Sequence, residues 1–225
     1  MSAEPQRRGF LTSRTPFGMT EFMVALKYLT GCGEMAIRFI AVDIDGTLLN
    51  SKLEVSAANR AAVAEAVRRG VEVALVTGRR YDFAMPVARK IAAPLTMIVN
   101  NGALVRTKQG ETLLRHLLPR ETAKRVVVAT EAWRQETAVV FDRPQANQIM
   151  LQSIDWDDPT RGDYYRRNRE YREEAAPLES CLNEDPIQVM YAGSVARMRE
   201  AESTLRRLEF AEEFAAAATV YEDKD

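Results

Sequence analysis

The stretch from Phe39 to Ser51, FIAVDIDGTLLNS, constrains the chain more than any other. It continues the β-prone run IRFIAVDID, the pattern of a strand buried on both faces of a parallel sheet. The run ends in two aspartates separated by one residue, and then a glycine. The neighbouring segments set the sheet. SAANRAAVAEAVRRG reads as a helix, with Ser56 placed to cap it, Val63 and Val67 at i and i+4, Arg68 and Arg69 in the last turn and Gly70 placed to end it. VEVALV, residues 71–76, is the next strand. A strand, helix, strand unit crosses over right-handed and makes adjacent parallel strands.

The rhythm persists. YDFAMPVARKIA reads as a helix in which Pro86 is tolerable only in the first turn, and LTMIVNNGA as a third strand leaving at Asn101-Gly102. LVRTKQGETLLRHLL reads as a hairpin around Lys108-Gln109-Gly110. The expected fold class is α/β, with a doubly wound, Rossmann-like core whose first part spans residues 35–118. From Pro119 the pattern changes to a helix over Glu121 to Gln135, strands TAVVFD and NQIMLQSI, a charged segment over 160–174, a strand IQVMYA, a helix from Ser194 to Leu208 and a strand AAATVYE. Residues 119–225 are expected to form an α+β domain, with the boundary between His116 and Arg120.

Residues 1–34 stand apart. QRRGFLTS resembles a twin-arginine export signal and LTGC a lipoprotein cleavage site, but Arg14, Glu21 and Lys27 interrupt the apolar segment that a signal needs. Met35 opens MAIRFIAVDIDGT, a complete start for the first strand. The expectation is an N-terminal extension outside the fold.

Composition narrows the function classes. Lys and Arg total 31 against 32 Asp and Glu, for a formal net charge of -1, so no basic excess points to nucleic acid. The basic, tyrosine-rich run Arg161 to Arg172 is offset by Asp163, Glu170, Glu173 and Glu174, and reads as a solvated helix face. Two cysteines, Cys32 and Cys181, are too few for a disulfide scaffold and fit a reducing, cytoplasmic compartment. The single histidine, His116, excludes histidine-pair metal sites and reads as a strand-edge residue. There is no run of eighteen apolar residues, so no transmembrane helix is expected.

The chemistry sits in loops. Asp43 and Asp45 are two apart at a strand's carboxyl end, where open α/β sheets build their sites, so both carboxylates can project to one side. Gly46 frees the backbone to turn and expose amides to an anion. Acidic residues and a glycine also make ordinary turns. A second loop raises the stakes: Thr77-Gly78-Arg79-Arg80 succeeds the neighbouring strand and offers a hydroxyl, an amide and a guanidinium to phosphoryl oxygens. Asn100-Asn101-Gly102 adds a third loop at that edge, although Asn-Gly alone is commonly a turn.

Together DIDGTLL, LVTGRR and IVNNGA resemble the haloacid dehalogenase superfamily of phosphohydrolases, specifically its Cof-type branch with a large α+β cap inserted after the second motif. The resemblance covers residues 35–225. It implies that Asp43 attacks phosphorus to form an aspartyl phosphate. It implies that Asp45 protonates the leaving oxygen and then activates water, and that the Asp43 carboxylate and the Asp45 carbonyl bind Mg²⁺. Gly46, Thr77, Gly78, Arg79 and Asn101 are the candidate phosphate binders. The implied substrate is a small phosphorylated metabolite chosen by the cap; oligomeric state is left open.

The resemblance also implies a lysine and a G-D-x-x-N-D motif after the cap, and neither is found before TVYEDKD. Lys90 falls on a helix face and Lys224 beside a cap strand. On this reading the chain is C-terminally truncated, its activity is impaired, and FIAVDI becomes an exposed sheet edge. Two alternatives remain, a non-catalytic fragment or interaction protein, and a phosphoacceptor signalling domain.

Overall fold

Backbone pairing in the computed structural model, which describes residues 6–13, 37–144, 146–158 and 162–221, sorts the described strands into two sheets. In chain order the elements are β1 (Gln6–Ser13), β2 (Phe39–Asp43), α1 (Ala57–Arg68), β3 (Glu72–Val76), α2 (Tyr81–Ala88), β4 (Thr96–Val99), β5 (Leu104–Thr107) and β6 (Thr112–Arg115). They continue with α3 (Arg120–Ala129), β7 (Thr137–Val140), β8 (Ile149–Leu151), α4 (Gly162–Arg167), β9 (Arg172–Glu174), β10 (Gln188–Ser194), α5 (Val195–Arg206) and β11 (Phe214–Tyr221). The chain divides into one unit of Pro16–His116 and another of Met1–Thr15 with Leu117–Asp225. No helix among the described residues is long and apolar enough to cross a membrane.

The first of these units carries a five-stranded sheet of order β2-β3-β4-β5-β6. β2, β3 and β4 are parallel, joined through α1 and α2, and β5 and β6 return as the antiparallel hairpin. β3 is flanked on both sides, and Val73, Ala74 and Leu75 are all buried, as a central parallel strand requires. β2 closes one end of the sheet, with Phe39, Ile40 and Val42 half-buried and Ala41 exposed. The Ser56 hydroxyl accepts the Asn59 amide at 3.0 Å to cap α1, while the Asn59 side chain donates to the Leu48 carbonyl at 3.1 Å. That second bond ties the start of α1 to the loop leaving β2.

Pro86 departs from expectation, lying inside α2 rather than in its first turn. Without an N–H it cannot donate to the carbonyl four residues back, at Asp82. The helix tolerates this because it is short and is held by the buried Ala84, Val87 and Ala88. Beyond its end Lys108 Nζ donates to the carbonyls of Ile91 at 2.5 Å and Ala93 at 3.3 Å.

The other unit is built on a six-stranded sheet of order β11-β1-β10-β7-β8-β9. Its main core gathers Val126, Val127, Val139, Phe141, Leu178, Leu182, Val189 and Tyr191, while Ala138, Ile149, Leu151, Ile154 and Tyr165 form a second cluster. Successive residues of β7 and β8 thus serve different clusters, as the two-residue period of a strand dictates. α3 stops earlier than the expected helix: Thr130 turns its hydroxyl back to the Val126 carbonyl at 2.7 Å, and a short 3-10 segment comes next.

Two expectations fail in this unit. Residues 1–34, set outside the fold from sequence, contribute Gln6–Ser13 as a strand of the sheet, because β10 and β11 leave one strand position between them. The charged run up to Arg172 is not simply solvated: Arg172 is 9% exposed and its guanidinium lies 4.5 Å from the centre of the buried Tyr165 ring.

Candidate active site

β2 ends extended at Asp43 (φ -68°, ψ 144°); beyond it Asp45 also takes an extended conformation (φ -90°, ψ 115°) and the chain turns at Gly46 with φ +82°. The loop is closed by the Leu49 amide donating to the Ile44 carbonyl at 3.0 Å. Ile44 is fully buried and Leu48 nearly so, whereas Asp43, Asp45, Gly46 and Thr47 are exposed. Alternation therefore presses Ile44 into the core and leaves both carboxylates on the solvent side. A β-carbon on Gly46 would touch nothing within 4 Å, so glycine answers the backbone's left-handed conformation rather than a lack of space.

Parallel pairing of Asp43 with Val76 brings the next residue, Thr77, to the same end of the sheet. Thr77 is 4% exposed; its amide donates to the Ile98 carbonyl at 2.9 Å and its hydroxyl accepts the Arg79 amide at 3.1 Å. Accepting that bond leaves the hydroxyl its own proton to donate. The third loop docks directly on this one. Asn101 donates its amide to the Thr77 carbonyl at 3.3 Å, and Asn100 donates to the Arg79 carbonyl at 2.9 Å. A β-carbon on Gly78 would lie 2.7 Å from Asn101 Oδ1, so that side chain would have to move aside for any other residue.

Arg79, grouped from sequence with the phosphate binders, makes a fork onto a carboxylate. Its Nε donates to Asp45 Oδ2 at 2.9 Å and its Nη2 to Oδ1 at 2.5 Å. Asp43, by contrast, makes no ion pair with another described residue. Asn100 is the residue whose importance the sequence understated: it is 2% exposed and, like Asn101, adopts a positive φ. The only hint was its residue type, because asparagine tolerates that region better than other side chains. Lys90 is exposed beyond the end of α2, His116 is half-buried with its amide on the Ala103 carbonyl, and Lys224 lies outside the described residues.

Mg²⁺ takes oxygen donors, keeps several waters and needs only one or two carboxylates when a phosphate is also present. Asp43 fits that demand as the carboxylate donor, and Asp45 through its backbone carbonyl, since both of its side-chain oxygens are on Arg79. No group of three or more His, Cys, Asp or Glu suited to a metal occurs among the described residues.

Residues 40–221 match the family of haloacid dehalogenase-like hydrolases. Phosphatase YwpJ of Bacillus subtilis is 39% identical over 74 residues, covering 33% of this chain and 26% of that protein. The HMP-PP phosphatase of Serratia proteamaculans is 29% identical over 124 residues, covering 50% of this chain and 45% of its own length. A Thermotoga maritima protein of known structure shares the fold with a TM-score of 0.61 at 23% identity, covering 76% of this chain and 62% of that one. The chain thus spans less than half the length of these two curated relatives. With the family match extending over most of its length and the acidic loop of β2 at the head of that match, the chain belongs to the haloacid dehalogenase-like hydrolases.

Proposed function

We propose that the chain acts on small phosphorylated metabolites as a phosphomonoester hydrolase, with Asp43 as nucleophile. The observation that supports this most directly is the meeting of three loops at one sheet edge. The Asp43 carboxylate, without an ion-pair partner among the described residues, the Thr77 hydroxyl and the exposed turn at Gly46 all belong to that edge. Asp43 attacks phosphorus and forms an acyl phosphate as the bond to the ester oxygen breaks. Asp45 gives that oxygen a proton, then takes one from the water that hydrolyses the acyl phosphate and releases inorganic phosphate. Because Arg79 holds both oxygens of Asp45, one of its two bonds has to open when Asp45 carries the proton. Thr77 and the Gly78 amide are suited to the phosphoryl oxygens. The Asp43 carboxylate and the Asp45 carbonyl would hold Mg²⁺, which when bound would neutralise charge between carboxylate and phosphate.

The test is hydrolysis of a panel of sugar and nucleoside monophosphates with Mg²⁺, together with hydroxylamine trapping of the acyl phosphate. Loss of turnover and of the trapped adduct in Asp43→Asn is expected; unchanged turnover in that variant would sink the assignment. A second reading, a non-catalytic interaction protein, is favoured by the lack of a third acidic partner among the described residues. Calorimetric titration with Mg²⁺ and beryllofluoride separates the two, since the second reading requires no binding of either.

A further inference from the structure

β1 is antiparallel to both β10 and β11, so those two strands run parallel to each other with one strand position between them. α5 and a short 3-10 segment make the crossover that leaves this gap. Among the described strands, β11 has no neighbour in the sheet other than β1. All eight residues of β1 register against Phe214–Tyr221, and six of them, Gln6 to Leu11, register against Ser194 to Val189. Without the middle strand the inner edges of β10 and β11 would present unpaired amides and carbonyls, and β11 would leave the sheet. Of the β11 side chains described, Phe214 joins the main core and Ala216 packs against it. Apart from the buried Phe214 its first five residues are alanines, of which Ala217 and Ala218 are exposed. Backbone pairing through the middle position is what ties β11 to the other described strands of the sheet.

The middle strand comes from the opposite end of the chain, beyond all of β2 to β6. A strand so remote in the chain from both of its neighbours is joined to them by main-chain pairing, with α5 packed beside it. We propose that the position between β10 and β11 is a strand-acceptor site for an extended peptide running antiparallel to both, and that Gln6–Ser13 is its exchangeable occupant, supplied by the same chain. Recognition is by main-chain hydrogen bonds, as in β-strand addition, over a lane of small residues on the β11 side.

The test uses the full chain. Leu11→Cys paired with Ala216→Cys, and separately Thr12→Cys paired with Ala215→Cys, are made with Cys32 and Cys181 replaced by alanine. These adjacent register pairs alternate between the close and wide antiparallel geometries, so one of them suits a disulfide. Oxidation is expected to give a cross-linked monomer from at least one pair. No cross-link, or only a cross-linked dimer, would overturn the placement in the same chain. Exchange is read by inserting a protease site after Thr15, cleaving the folded protein and adding a fluorescent peptide of residues 6–13. Uptake of the peptide is expected, with at least a tenfold weaker response when Phe10 of the peptide is proline. Absence of uptake, or equal uptake of the proline peptide, would refute the acceptor site.

Discussion

Arg79 grips Asp45 by both carboxylate oxygens, through Nε at 2.9 Å and Nη2 at 2.5 Å, although 34 residues separate them in the chain. The planar fork of a guanidinium fits a carboxylate in this way and an ammonium does not. Asp45 is thereby oriented by the loop after β3 rather than by its own.

Replacing Arg79 with alanine or lysine is expected to lower turnover on the order of 100-fold, the scale associated with misplacing a reacting group by about 1 Å. Stability should change by no more than about 1 kcal/mol, because the pair is 32% and 50% exposed and solvent screens it. Steady-state kinetics beside thermal melting check the split. A large loss of stability would show that Arg79 serves the fold instead.

Gly78→Ala places a methyl group 2.7 Å from Asn101 Oδ1. The Asn101 side chain is exposed and its end can turn aside, so the expected penalty is about 1 kcal/mol, at the low end for overpacking. Adding Asn101→Gly, which keeps the positive φ accessible, should recover most of it. A urea double-mutant cycle tests this, and strict additivity would remove the contact as the cause.

Thr130 and Tyr191 should respond unequally. The single Thr130 hydroxyl proton goes to the Val126 carbonyl at 2.7 Å, so the Tyr191 hydroxyl is the donor in their 2.8 Å bond. Burial pushes the Tyr191 phenol well above its ordinary pKa, which makes an unpartnered hydroxyl there expensive. Tyr191→Phe removes one bond and should cost about 1 kcal/mol, whereas Thr130→Val strands the phenol and should cost about 1–3 kcal/mol more. Denaturant unfolding gives both values, and the opposite order would refute the donor assignment.

Glu213 bonds the Thr122 hydroxyl at 2.7 Å and Arg125 at 2.6 Å, which together hold its carboxyl below the ordinary range. A depressed folded pKa contributes stability above the unfolded pKa, and that contribution disappears as pH falls through the folded one. Glu213→Gln should therefore be less stable than the parent at pH 7, with the gap closing below the usual carboxylate range. Melting temperatures from pH 7 downward check this; a gap independent of pH would assign the loss to packing.

Much of the site-bearing unit was legible because its signals are local. A continuous apolar run means a strand covered on both faces, and β3 meets that description with Val73, Ala74 and Leu75 buried. The three loops were assigned to one edge by the rule that parallel strands end together, and the structure brings Asp43, Thr77 and Asn101 there. Pro86 and Arg172 were misjudged because their surroundings decide them. A proline inside a short helix is tolerable when one face is buried, and an arginine in a charged run can still lie over a buried ring.

The sequence by itself determined the order of strands and helices from β2 to β6 and the residue types of the acidic loop, since both arise from periodicity and turn chemistry within a few residues. Tertiary structure alone decided the partner of Arg79, the close approach of Gly78 to Asn101 and the place of Gln6–Ser13 between two distant strands. Each of these depends on groups far apart in the chain meeting at hydrogen-bond or van der Waals range. No local pattern encodes such a meeting, because it exists only once the sheets have formed.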